Sequence, residues 1–125
     1  MPKILIIEDE EIILEPLAEM LRGENFDVVA ANSGETGLKL AAAESPDLIL
    51  CDVVLTGMDG HAVLQALRAD PDTGRIPVIF LTGQASPQEI QTGFSLGAGD
   101  YLCKPVTRPI MLAAIRKQLA RSRPA

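Results

Sequence analysis

The chain has 125 residues, 47% of them hydrophobic, and a formal net charge of -6. This length suits one domain with its own core, and the apolar content argues against intrinsic disorder. The acidic balance excludes direct nucleic-acid binding, which needs a basic surface to neutralise phosphates. The sequence shows neither a signal peptide nor an apolar stretch long enough to cross a bilayer, which predicts a cytoplasmic protein without membrane contact.

Five short, mostly apolar runs predict five strands. They cover residues 3–7, 27–31, 48–51, 78–81 and 100–103. Apolar runs of this length are typical of parallel strands buried on both faces.

Helical patterns follow each predicted strand. The first helix ends at Gly23, should be disturbed by Pro16, and has an inner face predicted at Ile13, Leu17, Met20 and Leu21. The second spans about 34–43 after a cap at Asn32-Ser33, and the third runs from Gly60 to Asp70.

The last two helices have clear start signals. Ser86-Pro87-Gln88-Glu89 is a capping box with proline at the first helical position, and this helix should end at Gly97. Thr107 is predicted to cap the fifth helix, whose inner face is assigned to Ile110, Ala114, Ile115 and Leu119. Strict alternation predicts an α/β fold, a doubly wound five-stranded parallel sheet of order 2-1-3-4-5, flavodoxin-like, with helices on both faces.

Polar residues follow four of the predicted strands. Asp52 interrupts an apolar run, and a carboxylate is tolerated there only if the strand ends and the side chain leaves the core. Glu8 and Asp9 follow the first strand, which neighbours the third in the predicted order. Three carboxylates at one edge repel each other, and a hard divalent cation such as Mg²⁺ resolves the repulsion.

Thr82 and Lys104 end the fourth and fifth strands. They add a hydroxyl and an ammonium on the far side of the predicted acidic site. A dianionic group could then lie between a metal and an ammonium, next to a carboxylate nucleophile. This combination indicates phosphoryl transfer to Asp52.

Over nearly its whole length the chain resembles the receiver domains of bacterial two-component response regulators. Each matching residue alone is weakly specific, whereas the full set in this order and spacing is highly specific. The set comprises Glu8-Asp9, Asp52, Met58-Asp59-Gly60, Thr82, Gly97-Ala98, Asp100-Tyr101 and Lys104-Pro105.

The resemblance implies how the site works. Asp52 would accept a phosphoryl group from a histidine kinase, a phosphotransfer protein or a small phosphodonor. Asp9, Asp52 and the Val54 backbone carbonyl would bind Mg²⁺, with Glu8 acting through a metal-bound water. The chain would be a signalling switch that catalyses only its own phosphorylation and dephosphorylation.

The resemblance also assigns the switch. Thr82 and Lys104 would bind the phosphoryl oxygens, and Tyr101 would move inward as Thr82 is drawn to the phosphate. A cis peptide bond is expected before Pro105. The fourth helix, fifth strand and fifth helix would form the surface for a downstream effector, with a phosphorylation-dependent dimer as one outcome. The receiver domain is assigned to residues 1–121, and 122–125 to a frayed tail or the start of a linker.

Several positions depart from the family pattern. Glu8 replaces the commoner aspartate, Leu55-Thr56 replaces Met-Pro, and Gly83 replaces alanine. Val54 and Gln84 occupy positions that tune dephosphorylation. Because Val54 cannot orient a water molecule, we expect slow or moderate self-dephosphorylation.

Other functions are weighed against the switch. A degenerate receiver that only docks proteins would not need Asp9, Asp52, Thr82 and Lys104 together. An aspartate-based phosphatase would carry a second aspartate where Val54 stands, and a flavin-binding protein would need a Ser- and Gly-rich loop after the first strand. His61 is assigned to a helix surface, and Cys51 and Cys103 to buried apolar positions.

Overall fold

A five-stranded parallel sheet forms the centre of the computed structural model, which describes residues 1–83 and 86–122. Its strand order is 2-1-3-4-5, which confirms the predicted doubly wound α/β fold. The strands, in chain order, are β1 (Lys3–Ile7), β2 (Asp27–Ala31), β3 (Leu48–Asp52), β4 (Val78–Thr82) and β5 (Asp100–Cys103).

Within the described residues, five helices cover the two faces of this sheet. They are α1 (Glu11–Gly23), α2 (Gly34–Glu44), α3 (Gly60–Ala69), α4 (Pro87–Ser95) and α5 (Arg108–Ser122). No helix in the described part of the chain is long and apolar enough to span a membrane.

The core consists of two layers, one on each side of the sheet. Alternate residues of a strand point to opposite faces, so Ile4 and Ile6 of β1 pack with α1 and α5. Leu5 and Ile7 of the same strand pack on the other side, where α2 and α3 lie. Burial on both faces explains why β1, β3 and β4 read as continuous apolar runs.

Side-chain caps define where three helices begin. Ser33 accepts a hydrogen bond from the Thr36 backbone N–H, and Asp59 accepts one from Ala62. At α4 the predicted capping box forms in full between Ser86 and Glu89. Each cap satisfies a backbone donor that has no partner within its helix.

The inner faces of α1 and α5 differ from the prediction. The buried residues of α1 are Leu14, Ala18 and Leu21. The centre of the buried face is therefore shifted by about one residue from the predicted face, and Ile13 is only partly buried at its edge. In α5, Ile110 is 56% exposed because the helix buries a stripe that begins at Met111. Helix α1 continues through Pro16, whose ring lies on the exposed side.

The two cysteines also differ from each other. Cys51 is fully buried in the central strand β3, as predicted. Cys103 is exposed. It is the last residue of β5, an edge strand that pairs with β4 on one side and has no described strand on the other. The assignment of Cys103 to the core was therefore wrong.

Candidate acidic site at the strand ends

Three carboxylates meet where β1 and β3 end. Glu8 and Asp9 directly follow β1, and Asp52 is the last residue of β3, its neighbour in the sheet. One oxygen from each of the three lies within 4.8 Å of the others. Glu8 and Asp52 are buried, with exposed fractions of 1% and 5%. The sheet order thus brings together the acidic residues that the sequence analysis had grouped.

Lys104 balances part of this negative charge. Its Nζ lies 3.0 Å from Glu8 Oε1 and 2.9 Å from Asp52 Oδ2. Burial raises the pKa of Glu8, while the hydrogen bond from Lys104 opposes that rise. Burial by itself lowers the pKa of Lys104, but its hydrogen bonds to Asp52 and Glu8 outweigh this, so its pKa is raised and it stays charged.

The loop after β3 binds Asp9 directly. The backbone N–H and the hydroxyl of Thr56 both donate to Asp9 Oδ2, each at 2.9 Å. The Thr56 N–H is the largest cause of a lowered Asp9 pKa, although burial opposes it. Proline, the residue that the resemblance to receiver domains leads one to expect here, lacks both donors. The contact was not expected, because the residues are 47 positions apart in the chain.

The donor set suits a hard dication. All three acidic side chains offer oxygen, the ligand atom that Mg²⁺ prefers. Lys104 supplies one positive charge against three carboxylates, so negative charge remains at the site. The residues present therefore fit the metal that the sequence analysis assigned to this position.

The positions that flank Asp52 have different surroundings. Val54 donates its backbone N–H to Asp52 Oδ1 at 3.1 Å, and its side chain is 71% exposed. Gln84, the other residue assigned to dephosphorylation, lies outside the described residues. An added Cβ at Gly83 would meet no atom within 4 Å, which leaves open space beside the site.

The remaining assigned residues lie on β4 and β5. Thr82 ends β4 and is 1% exposed, opposite Cys103 of β5. Tyr101 lies two residues earlier on β5, opposite Phe80, and is half-buried. The peptide bond between Lys104 and Pro105 is cis, the isomer expected from the resemblance.

His61 contacts Tyr101, which sequence reasoning had missed. Its Nε2 is hydrogen-bonded to the Tyr101 hydroxyl, and its ring packs edge-on against Phe80 at 5.3 Å between centroids. His61 lies on α3 as assigned, but it is partly buried and bonded to Tyr101 rather than simply exposed on the helix surface. The only sequence signal was its place in the first turn of α3, and that signal does not identify a partner 40 residues away.

Comparison of the sequence with known proteins identifies its family. The sequence model described as "Response regulator receiver domain" matches residues 4–116. A DNA-binding dual master transcriptional regulator, RpaA, of a Synechocystis species is 42% identical over 98% of this chain and 51% of its own length. A probable cyclic di-GMP phosphodiesterase of Vibrio cholerae is 38% identical over 96% of this chain and 27% of its own length.

Solved structures agree with the fold. A putative response regulator from Chloroflexus aurantiacus superimposes with a TM-score of 0.90 at 35% identity, covering 97% of this chain and all of that one. A CheY-like receiver domain protein from Methanospirillum hungatei gives 0.91 at 28% identity, covering 98% and 96%. The chain therefore has the length of these structures, but spans only about a quarter to a half of the curated relatives above.

Proposed function

The chain belongs to the response regulator receiver domains of bacterial two-component signalling, and on that premise we propose that Asp52 is its phosphoacceptor. The single observation that carries the proposal is the position of Asp52. Its carboxylate belongs to an acidic cluster that suits Mg²⁺ and lies 2.9 Å from the Lys104 ammonium. The phosphoryl donor is a histidine kinase or a phosphotransfer protein.

In the transfer step a carboxylate oxygen of Asp52 forms a bond to phosphorus. The bond between phosphorus and the donor's imidazole nitrogen breaks, and that nitrogen keeps the electron pair. Lys104 and the Thr82 hydroxyl bind the phosphoryl oxygens. Asp9, Asp52 and the Val54 carbonyl would hold Mg²⁺, and Glu8 would act through a metal-bound water. The metal would supply positive charge that offsets the charge of the phosphoryl group.

Phosphorylation then changes the surface formed by α4, β5 and α5. Tyr101 and Thr82 link the phosphoryl site to this surface, which docks a downstream effector or a second copy of the chain. The domain comprises residues 1–121 and works in the cytoplasm, without direct contact with nucleic acid or membrane. It is a switch rather than an enzyme acting on other molecules, and it catalyses only its own phosphorylation and dephosphorylation.

The alternative is a receiver that docks proteins without being phosphorylated. Such a domain has no need for an ammonium bound to two buried carboxylates, and this charge arrangement favours the switch. An aspartate-based phosphatase is disfavoured because Val54 occupies the position of its acid-base residue.

Intact mass spectrometry tests the proposal. Incubation with Mg²⁺ and acetyl phosphate should add one phosphoryl group to the wild type and none to Asp52→Asn. Omission of Mg²⁺ should abolish the adduct. A folded wild-type protein without an adduct would favour the docking alternative, and an adduct in Asp52→Asn would place the phosphoacceptor elsewhere.

A further inference from the structure

Tyr101 lies in a site built by three elements. Its ring packs against Phe80 of β4, with centroids 5.1 Å apart, and against Phe94 of α4 at 5.8 Å. Its hydroxyl donates to the Glu89 backbone carbonyl at 3.2 Å and is hydrogen-bonded to His61 Nε2 of α3. One side chain of β5 thus joins the first turns of α3 and α4.

The two hydrogen bonds of the Tyr101 hydroxyl indicate the role of His61. A tyrosine hydroxyl has one proton to donate, and a backbone carbonyl can only accept. The bond to Glu89 uses that proton, and with His61 in its Nε2–H tautomer the ring donates to the tyrosine oxygen. Burial raises the pKa of Tyr101, and the charge of Glu89 adds to this, so the phenol keeps its proton at neutral pH.

Gly93 makes room for this position of the ring. It lies one helical turn after Glu89 on α4, and an added Cβ would come within 2.3 Å of Tyr101 Cε2 and 2.6 Å of its hydroxyl oxygen. Real Cβ atoms do not approach so closely, so any side chain here would displace the ring. Gly93 is a weak helix former, and its place in α4 is therefore explained by packing against Tyr101.

We propose that His61 is a positioning residue that, together with Gly93, holds Tyr101 against α4 and sets the energy needed for the tyrosine to move. The inference rests on the proposed switch and deepens it. A tyrosine that leaves this site must give up both hydroxyl bonds. Removal of the His61 donor should therefore shift the equilibrium between ring positions about fivefold away from the position seen here, the effect of one net hydrogen bond.

The chain offers a clean probe of this equilibrium. It contains one tyrosine and no tryptophan, so labelling with fluorotyrosine yields a single fluorine resonance, from Tyr101. The resonance of the wild type is recorded for the free protein and with Mg²⁺ and beryllofluoride, a mimic of the phosphoryl group. These two spectra define the resting and the activated ring positions.

His61→Leu, measured without phosphoryl mimic, should move the resonance away from its wild-type position. His61→Gln, which keeps an N–H donor of similar reach, should return it toward the wild-type position. Gln65→Leu, at an exposed position one turn further along α3, is the matched control and should cause no shift. Gly93→Ala should move the resonance even with His61 present.

An unchanged resonance in His61→Leu overturns the proposal, as does a loss of thermal stability without any shift, since His61 would then only support the fold. A shift that His61→Gln does not reverse also overturns it. Failure of the proposed function gives a different result: no phosphoryl adduct by mass and no response of the wild type to beryllofluoride. Even then, the free-state spectra of His61→Leu and His61→Gln decide whether His61 holds Tyr101.

Discussion

At the residue scale, two hydrogen bonds from Thr56 hold Asp9. The Thr56 N–H and hydroxyl orient a carboxylate that the proposed function assigns to Mg²⁺. Groups that hold a ligand in place usually affect metal affinity, because without them the ligand must be ordered on binding. The residue that departs from the family pattern thus orients one carboxylate of the proposed metal site.

We therefore predict that Thr56→Val, which removes the hydroxyl donor, weakens Mg²⁺ binding about tenfold. The affinity can be measured by following backbone amide resonances during a Mg²⁺ titration. Thr56→Ser keeps both donors and should bind as the wild type does. Equal affinities in all three proteins would show that the Thr56 hydroxyl does not orient Asp9.

Tyr101 allows a direct pH test, because it is the only tyrosine in the chain. Burial, with the charge of Glu89, raises its pKa above the ordinary value of 10.0. A group with a raised pKa in the folded state stabilises the fold below its ordinary pKa and loses that contribution as pH rises through the folded-state value. Ionisation of Tyr101 should therefore destabilise the domain above pH 10.0.

The ultraviolet absorbance of tyrosinate measures this ionisation. We predict a midpoint above 10.0 in the folded protein and near 10.0 in concentrated urea. Glu89→Gln should lower the folded midpoint part of the way, because only the charge contribution is removed. A folded midpoint at or below the urea value would contradict the observed burial.

At the scale of elements, the site depends on how closely α3 approaches the end of β3. A Cβ added at Gly60 would lie 2.5 Å from the Asp52 carbonyl oxygen and 2.8 Å from Val53 Cα. Both are backbone atoms, which cannot move aside as a flexible side chain could. Gly60 thus sets the distance between the first turn of α3, which carries His61, and the strand that carries Asp52.

Gly60→Ala should lower the free energy of unfolding by about 1–3 kcal/mol, the usual cost of overpacking. Gly23→Ala is the matched control, because an added Cβ at the end of α1 meets nothing within 4 Å. That control should unfold at the same or higher urea concentration, since alanine favours helix. If the two variants unfold alike, the close approach of α3 to β3 does not limit this position.

At the scale of the whole molecule, the net charge argues against DNA binding by this chain. The net charge is -6, and on α5 both Arg108 and Arg116 are paired with Glu24 of the segment after α1. The relative that is a DNA-binding regulator is about twice as long as the region matched here. We therefore expect that the receiver domain itself does not bind DNA.

We predict that this chain does not retard duplex DNA in a gel shift at physiological salt, with or without beryllofluoride and Mg²⁺. Glu24→Gln frees both arginines but leaves the molecule strongly acidic, so it should not retard DNA either. A salt-sensitive shift by the wild type would show that the basic residues of α5 form a phosphate-binding surface.

Most of the fold was predictable because its signals are local. The apolar runs of β1, β3 and β4 and the capping box at Ser86 each specify their own element. The alternation of strands and helices indicated the sheet order, and parallel strands bring their carboxyl ends to one edge. For that reason Glu8, Asp9, Asp52 and Lys104 could be grouped from the sequence alone.

Tertiary structure decided the contacts between side chains from distant segments. Thr56 binds Asp9 across 47 positions, and His61 binds Tyr101 across 40. It also decided which of two similar residues is buried: Cys51 lies in a central strand, whereas Cys103 ends an edge strand. Local patterns specify the elements, but these partners depend on the packing of whole elements against one another, and the sequence carries no local signal for that.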